Sequence, residues 1–529
     1  MKQEYPTSQQ NFEKIITDNF LYIDKTMYYY ELLQEKNMQF FARPRRFGKS
    51  MMISTLKAIY QGKKHLFEGL WIYDKIDWEA VVRPVIHLDF TKVGYRGGEL
   101  SLDNGLSNNL DEIAAEYNVI LHKNTSKEKL IELLTLFDKQ GKRAVLLVDE
   151  YDMPLTDALD TPDFKDILGF LGDFYATLKG YGELVHQALL TGVSKFGKVS
   201  LFSKLNNLTD VSMDEKYLSM CGFSQRELEK YFAEDAIEVA NKLKISEKKL
   251  WKKIKEQYDG YSWNGIDRLY CPFLVMQFFK HQRFGNYWFE TGTPTILLKL
   301  LRKEKLFPFE LEEVESEEGL LSNMDIYSID VVAMLFQTGY LTIKRVKMRD
   351  GEATYYLSYP NLEVRNAFQK NILADYLEVK EGSIDRNYIS KLRRALTNND
   401  IALFISICQS VFASIAYQQI ANSDEDAFHS IMHLLVKLTG ERIVPEVPHN
   451  LGRADNFLFM DDRTFILAYK YNGTAAAALK QIQDKKYAQP FEHEGLPFTF
   501  IGINYSSEKR NIDEWEVFPK GENDLNESR

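Results

Sequence analysis

A chain of 529 residues is too long for one hydrophobic core and calls for about three domains of ordinary size. Its 45% hydrophobic and 27% charged residues are the balance of a globular protein, and no apolar run reaches the roughly 18–20 residues of a membrane span. The net charge of −10 excludes a generally basic coat for nucleic acid, so any such contact must be a local patch.

The N-terminal "MKQEYPTSQQNFEKI" has no apolar leader segment. Cys221, Cys271 and Cys408 are scattered and odd in number, which suits a reducing cytoplasm better than a disulfide framework or a zinc cluster. From about Met38 to Val193 the runs "MQFFA", "PVIHLDF", "AVLLVDE" and "HQALLTGV" alternate with helical patterns, predicting a parallel sheet covered on both faces. From Ser224 to about Gln282 the text is helical and rich in Lys, Glu and aromatics. "VVAMLFQTGYLTIKRVKMRDGEATYYLSYPN" then reads as a helix and a hairpin turning at Arg349-Asp350-Gly351, the pattern of a winged helix or of a plain lid. More helix follows to about Leu438, and the tail is again mixed α/β. The expected divisions are a parallel-sheet core over 1–215, a helical lid over 216–293 and a winged-helix-like segment over 294–370. A helical connector over 371–438 and a C-terminal α/β domain over 439–529 complete them.

Two stretches carry phosphate chemistry. "FFARPRRFGKSMMIS" ends a strand, crosses a loop containing Arg45, Arg46 and Phe47, and opens a helix at Gly48-Lys49-Ser50. Free N–H groups at a helix start, a lysine for the β- and γ-phosphates and a hydroxyl for Mg²⁺ are what a nucleoside triphosphate needs. Arg43 stands where the strict pattern wants glycine. Downstream, "AVLLVDEYD" ends a strand in Asp149, placed to hold Mg²⁺, and Glu150, placed to orient the attacking water, with Asp152 as a substitute for Glu150. Thr191, at the end of "ALLTGV", is a candidate γ-phosphate sensor. Lys195 or Lys198 would reach the phosphate from this subunit or a neighbouring one, or else be solvated loop charges. ATP and Mg²⁺ are the expected cofactors.

Together "FLYIDKT", "RPRRFGKS", "LLVDEYDMPL", "LTGVSKFGKVSLFSKLNNLTD", "YDGYSW" and "YWFETGTP" resemble the bacterial AAA-ATPase-like family, whose members commonly carry a C-terminal nuclease domain of the PD-(D/E)XK superfamily. The likeness spans about Tyr5 to Phe500. It implies a P-loop core related to AAA and STAND ATPases, with an arginine-rich loop replacing the glycine-rich one, then the lid and the winged-helix-like segment.

The nuclease superfamily sets one acid at the start of a strand, a second on the next strand, and a lysine two residues further on. Residues two apart on a strand face one side, so all three can meet one metal site. Asp455 fits the first acid and Lys470 the lysine, but Ala468 occupies the second acid position. Glu446 is an upstream candidate ligand or a surface acid. Gln481, Gln483 and Tyr487 offer a Gln-x-x-x-Tyr pattern, with core packing as the alternative for Tyr487. A methyl group binds no Mg²⁺, so the expected product is a nuclease-type domain that cuts poorly or not at all. Survival of both Asp455 and Lys470 fits a recent or deliberate replacement better than a site long abandoned.

Three function classes follow: an ATP-driven switch coupled to DNA or RNA cutting, a non-cutting nucleic-acid platform, and an ATP-dependent signalling scaffold. The acidic total favours the last, whereas "KLRRALTNN" and "RPRRFGK" show local basic patches. A homo-oligomer without membrane contact is expected, with defence or mobile-element biology as the setting.

Overall fold

The computed structural model describes the chain except residues 1–2, 36, 160, 196–207, 289–294, 305–309, 318, 320, 322–328, 350–351, 377–387, 416–424, 440–441, 450–451, 461 and 521–529. The chain forms two compact units, one of Met1–Gly292 with Glu313–Val364, the other of Thr293–Glu312 with Arg365–Arg529. Among the described residues no helix is long and apolar enough to cross a membrane.

The first unit is built on a parallel sheet of β1 (Met38–Ala42), β2 (Val85–Asp89), β3 (Ala144–Asp149), β4 (Val185–Gly192) and β5 (Leu208–Asp210), in the order β2-β3-β4-β1-β5. Every residue of β3 is buried, and only His186 of β4 is not, because helices cover both faces and a run of aliphatic residues satisfies both. The four predicted strands are all present. β5 is a fifth, only three residues long and too short to leave a pattern.

Four helices of this unit matter below: α1 (Thr26–Gln34), α2 (Lys49–Tyr60), α3 (Gln225–Tyr231) and α4 (Pro272–His281). Helix α5 (Val331–Thr338) precedes an antiparallel sheet of β6 (Val314–Glu317), β8 (Glu352–Ser358) and β7 (Thr342–Arg349), in the order β6-β8-β7. The predicted hairpin is therefore present, with its turn residues Asp350 and Gly351 outside the described residues and an added strand, β6, along its other edge.

In the second unit five strands run in the order β13-β12-β11-β10-β9: β9 (Arg442–His449), β10 (Gly452–Phe459), β11 (Thr464–Tyr471), β12 (Phe498–Ser506) and β13 (Asn511–Lys520). Only β11 and β12 are parallel; the other neighbours are antiparallel. The unit also contains α6 (Glu425–Leu438) and α7 (Ala475–Asp484). Helix α7 starts at Thr474, whose hydroxyl accepts from the Ala477 N–H, and it lies on β11 and β12 through Ala475, Ala478, Leu479 and Ile482. The approach is close: a Cβ on Gly502 of β12 would stand 2.4 Å from the Ala475 carbonyl oxygen. Ala468 on β11 is the register partner of Gly502.

Candidate functional site

The loop between β1 and α2 delivers the first site. Gly48 takes φ of 99° and offers no side-chain cap, which leaves the first N–H groups of α2 without an intrahelical partner. Lys49, at the first helical position, is buried. Its Nζ donates to the Arg43 carbonyl at 3.0 Å and stands 3.1 Å from Glu150 Oε1. Glu150 has φ of 52°, a left-handed conformation that a side-chain-bearing residue rarely adopts, and it follows directly on the end of β3. The strand-end acid and the loop lysine thus meet at one point.

Asp149 is buried beside them. Burial, then the neighbouring Glu150, push its carboxyl above the usual carboxylate range, while hydrogen bonds from Ser50 and Thr191 work against both. Thr191 Oγ1 donates to Asp149 Oδ1 at 2.7 Å and is fully enclosed, so its hydroxyl orients the acid. Ser50 and Asp149 are hard oxygen donors on neighbouring elements of this site, which suits Mg²⁺.

The rest of the loop is held from within the protein. Arg43 is fully buried, its guanidinium donating to the carbonyls of Ala42, Ser212 and Leu218 and lying over the rings of Phe41 and Trp263. Burial pulls its pKa down to about 9. Arg46 donates to the Tyr287 carbonyl at 2.7 Å and covers Phe273 on α4, and Phe47 packs edge-on against Tyr261 and Trp263. Arg45 is exposed. Arg46, Phe47, Gly48, Lys49 and Ser50 all line a cavity of about 210 Å³. Lys195 lies elsewhere: its Nζ pairs with Asp210 at 2.7 Å and its N–H donates to Gln337 of α5. Lys198 is outside the described residues. Asp152 is buried and accepts from the N–H groups of Val193 and Ser194, which pins the chain just after β4. Burial, with Glu150 second, raises its pKa to about 6.

The second constellation lies on β10, β11 and α7. The pairing Asn456↔Leu467 places backbone position 455 level with Ala468. Asp455 and Glu446 lie in β10 and β9, and their side chains are outside what the structure describes. Ala468 has no exposed surface. It belongs to an apolar cluster with Phe457, Ile466, Ala478, Ile482 and Tyr487. Two residues on, Lys470 Nζ donates to Gln481 Oε1 at 2.6 Å, and Gln481 Nε2 donates to the Tyr487 hydroxyl at 3.1 Å. Lys470 and Ala468 thus both face α7, as strand alternation predicts. Gln483 is exposed, so the glutamine that meets Tyr487 is Gln481. Ala468 offers no metal ligand.

Residues 6–202 match the family model described as predicted AAA-ATPase, and residues 423–515 match that of the PD-(D/E)XK nuclease superfamily. An uncharacterized protein from the vnfD 5' region of Azotobacter chroococcum mcd 1 is 32% identical over 520 residues, covering 97% of this chain and 98% of that one. The chain belongs to this family of predicted AAA-ATPases joined to a PD-(D/E)XK nuclease superfamily domain. Among solved structures, the Aeropyrum pernix ORC2 protein, in its ADPNP–ADP complexes, aligns with 67% of this chain and 96% of its own at 12% identity, with a TM-score of 0.27.

Within the family's two modules, three residues escape sequence reasoning. Arg43 looks like a missing glycine and is a buried brace for the loop. Asn456 is next to Asp455 and is held between His433 Nδ1, at 3.0 Å, and the Tyr469 hydroxyl, at 2.9 Å. Lys25, in "FLYIDKT", lines the cavity beside Lys49. Only a lysine directly after the apolar run "FLYI" and Asp24 could have flagged it.

Proposed function

We propose that the chain is an ATP-hydrolysing switch whose nucleotide state governs a nuclease-type domain directed at DNA or RNA. In this chain that domain is proposed to cut poorly, because Ala468 replaces an acid. The observation that carries the ATPase reading is the meeting of Lys49 with Glu150 at 3.1 Å, beside the Ser50, Asp149 and Thr191 contacts.

Lys49 supplies a positive charge for the β- and γ-phosphates, and the start of α2 supplies N–H donors. Ser50 and Asp149 would hold Mg²⁺, which when bound spreads the charge that develops on the phosphate oxygens. Thr191 keeps Asp149 in place. Glu150 is tied to Lys49; once a triphosphate competes for that ammonium, its carboxylate becomes available to orient water. Hydrolysis-competent geometry would thus require the nucleotide itself.

The test is Glu150→Gln. Loss of the water-orienting carboxylate should leave ATP bound and lower turnover by about a hundredfold or more. Hydrolysis equal to that of the parent chain would move the role elsewhere. A cytoplasmic homo-oligomer, acting in defence or mobile-element biology, completes this reading.

A second reading, an ATP-regulated nucleic-acid-binding or signalling scaffold with a natural pseudonuclease domain, is favoured by one observation. Ala468 is sealed in an apolar cluster, an arrangement suited to a strand that only packs.

A further inference from the structure

The cavity beside the phosphate loop contains a second lysine. Lys25 precedes α1 and lines the same space as Gly48, Lys49 and Ser50, yet only 5% of its surface is exposed. Its neighbours in sequence have structural duties: Asp24 accepts from Thr26 and from the Trp71 N–H, and Thr26 accepts from the Ile72 N–H. Lys25 has a single close anionic neighbour, Glu227 Oε1 at 2.6 Å. The other oxygen of Glu227 is engaged by the Ser224 N–H and hydroxyl in the capping box of α3.

An ammonium has three donors and one carboxylate oxygen takes one of them. Among the described residues its Nζ has no hydrogen-bond partner beyond that ion pair, and the side chain walls a cavity that leads to the phosphate site. Burying a charge so incompletely paired is unfavourable unless a ligand supplies acceptors. Tyr22, Tyr29, Phe223, Phe273 and Met276 also line the cavity, providing flat and apolar surface of the kind that holds a planar ring. We propose that Lys25 is a nucleotide-binding residue that donates hydrogen bonds to the edge of the purine base, in the same cavity whose other end takes the triphosphate at Lys49.

This inference rests on the nucleotide reading above, and the experiment separates the two. Affinities for ATP and for inorganic tripolyphosphate are measured by competition against a fluorescent nucleotide. Lys49→Ala should weaken both ligands; unchanged binding of both would overturn the nucleotide reading itself. Lys25→Met should weaken ATP about ten- to a hundredfold, the loss of a hydrogen bond from a charged group, and leave tripolyphosphate unchanged. Lys25→Gln, which keeps amide donors, should recover part of the ATP affinity. If Lys25→Met does not fold, because Glu227 loses its cation, the pair Lys25→Met with Glu227→Gln removes both charges and carries the same expectation. Unchanged ATP affinity, or equal losses for ATP and tripolyphosphate, would overturn the proposal and leave Lys25 as a brace for α3.

Discussion

Replacing Ala468 by glutamate discriminates most sharply between a nuclease site and a packed strand. The side chain at 468 has no exposed surface, and α7 lies directly over the adjoining Gly502. A larger side chain there costs about 1–3 kcal/mol in overpacking. Desolvating its carboxyl group costs about 1–3 kcal/mol more. The sum, about 2–6 kcal/mol, is a large part of an ordinary domain's stability of about 5–15 kcal/mol. For a unit of this size each kcal/mol moves the Tm by about 2–4 °C. Without metal, Ala468→Glu should therefore melt well below the parent chain. If the carboxylate joins Asp455 at one metal, Mn²⁺ or Mg²⁺ at a hundred times its Kd returns about 2.7 kcal/mol. Melting scans with and without metal should show that recovery, and cleavage of DNA or RNA should appear with it and vanish on the further change Asp455→Ala. Ala468→Leu, equally bulky but without oxygens, should show neither. A destabilised Ala468→Glu that metal cannot restore, with no cleavage, refutes the site.

Arg43→Met should cost about 3 kcal/mol or more, because the carbonyls of Ala42, Ser212 and Leu218 lose a buried donor together; a thermal melt within 1 kcal/mol of the parent would contradict the bracing role. His433, buried against Asn456, has its pKa lowered to about 4, first by burial and then by Lys437. The folded form thus binds fewer protons than the unfolded one, so its contribution is intact above about pH 6.5 and is lost as pH falls towards 4, by about 3 kcal/mol. Denaturant midpoints across that range should fall in the parent chain and flatten in His433→Gln; equal slopes would assign the dependence to other groups.

What the sequence allows a reader to see follows from how far each contact reaches along the chain. The buried strands of the first sheet advertise themselves as aliphatic runs, and Gly48-Lys49-Ser50 is contiguous. Thr191, at a strand end, and Lys195, in the loop that follows, read from the sequence as phosphate contacts, but their partners, Asp149 and Asp210, come from other strands and no local pattern reveals them. A Gln483-x-x-x-Tyr487 spacing brings the two side chains together only on an unbroken helix. Instead α7 ends at Asp484 and Lys486 takes φ of 48°, so the chain folds back and Tyr487 meets Gln481, two residues before Gln483. That return bears on Ala468. A strand-edge lysine kept only for solubility needs no partner, yet Lys470 is half-buried and tied through Gln481 to a buried tyrosine hydroxyl. Such a chain orients an ammonium, and on the proposed reading the loss at 468 removes a ligand while leaving the lysine's orientation intact. A single restored carboxylate is then a sufficient test, because Lys470 already has its orienting partners on that face of β11.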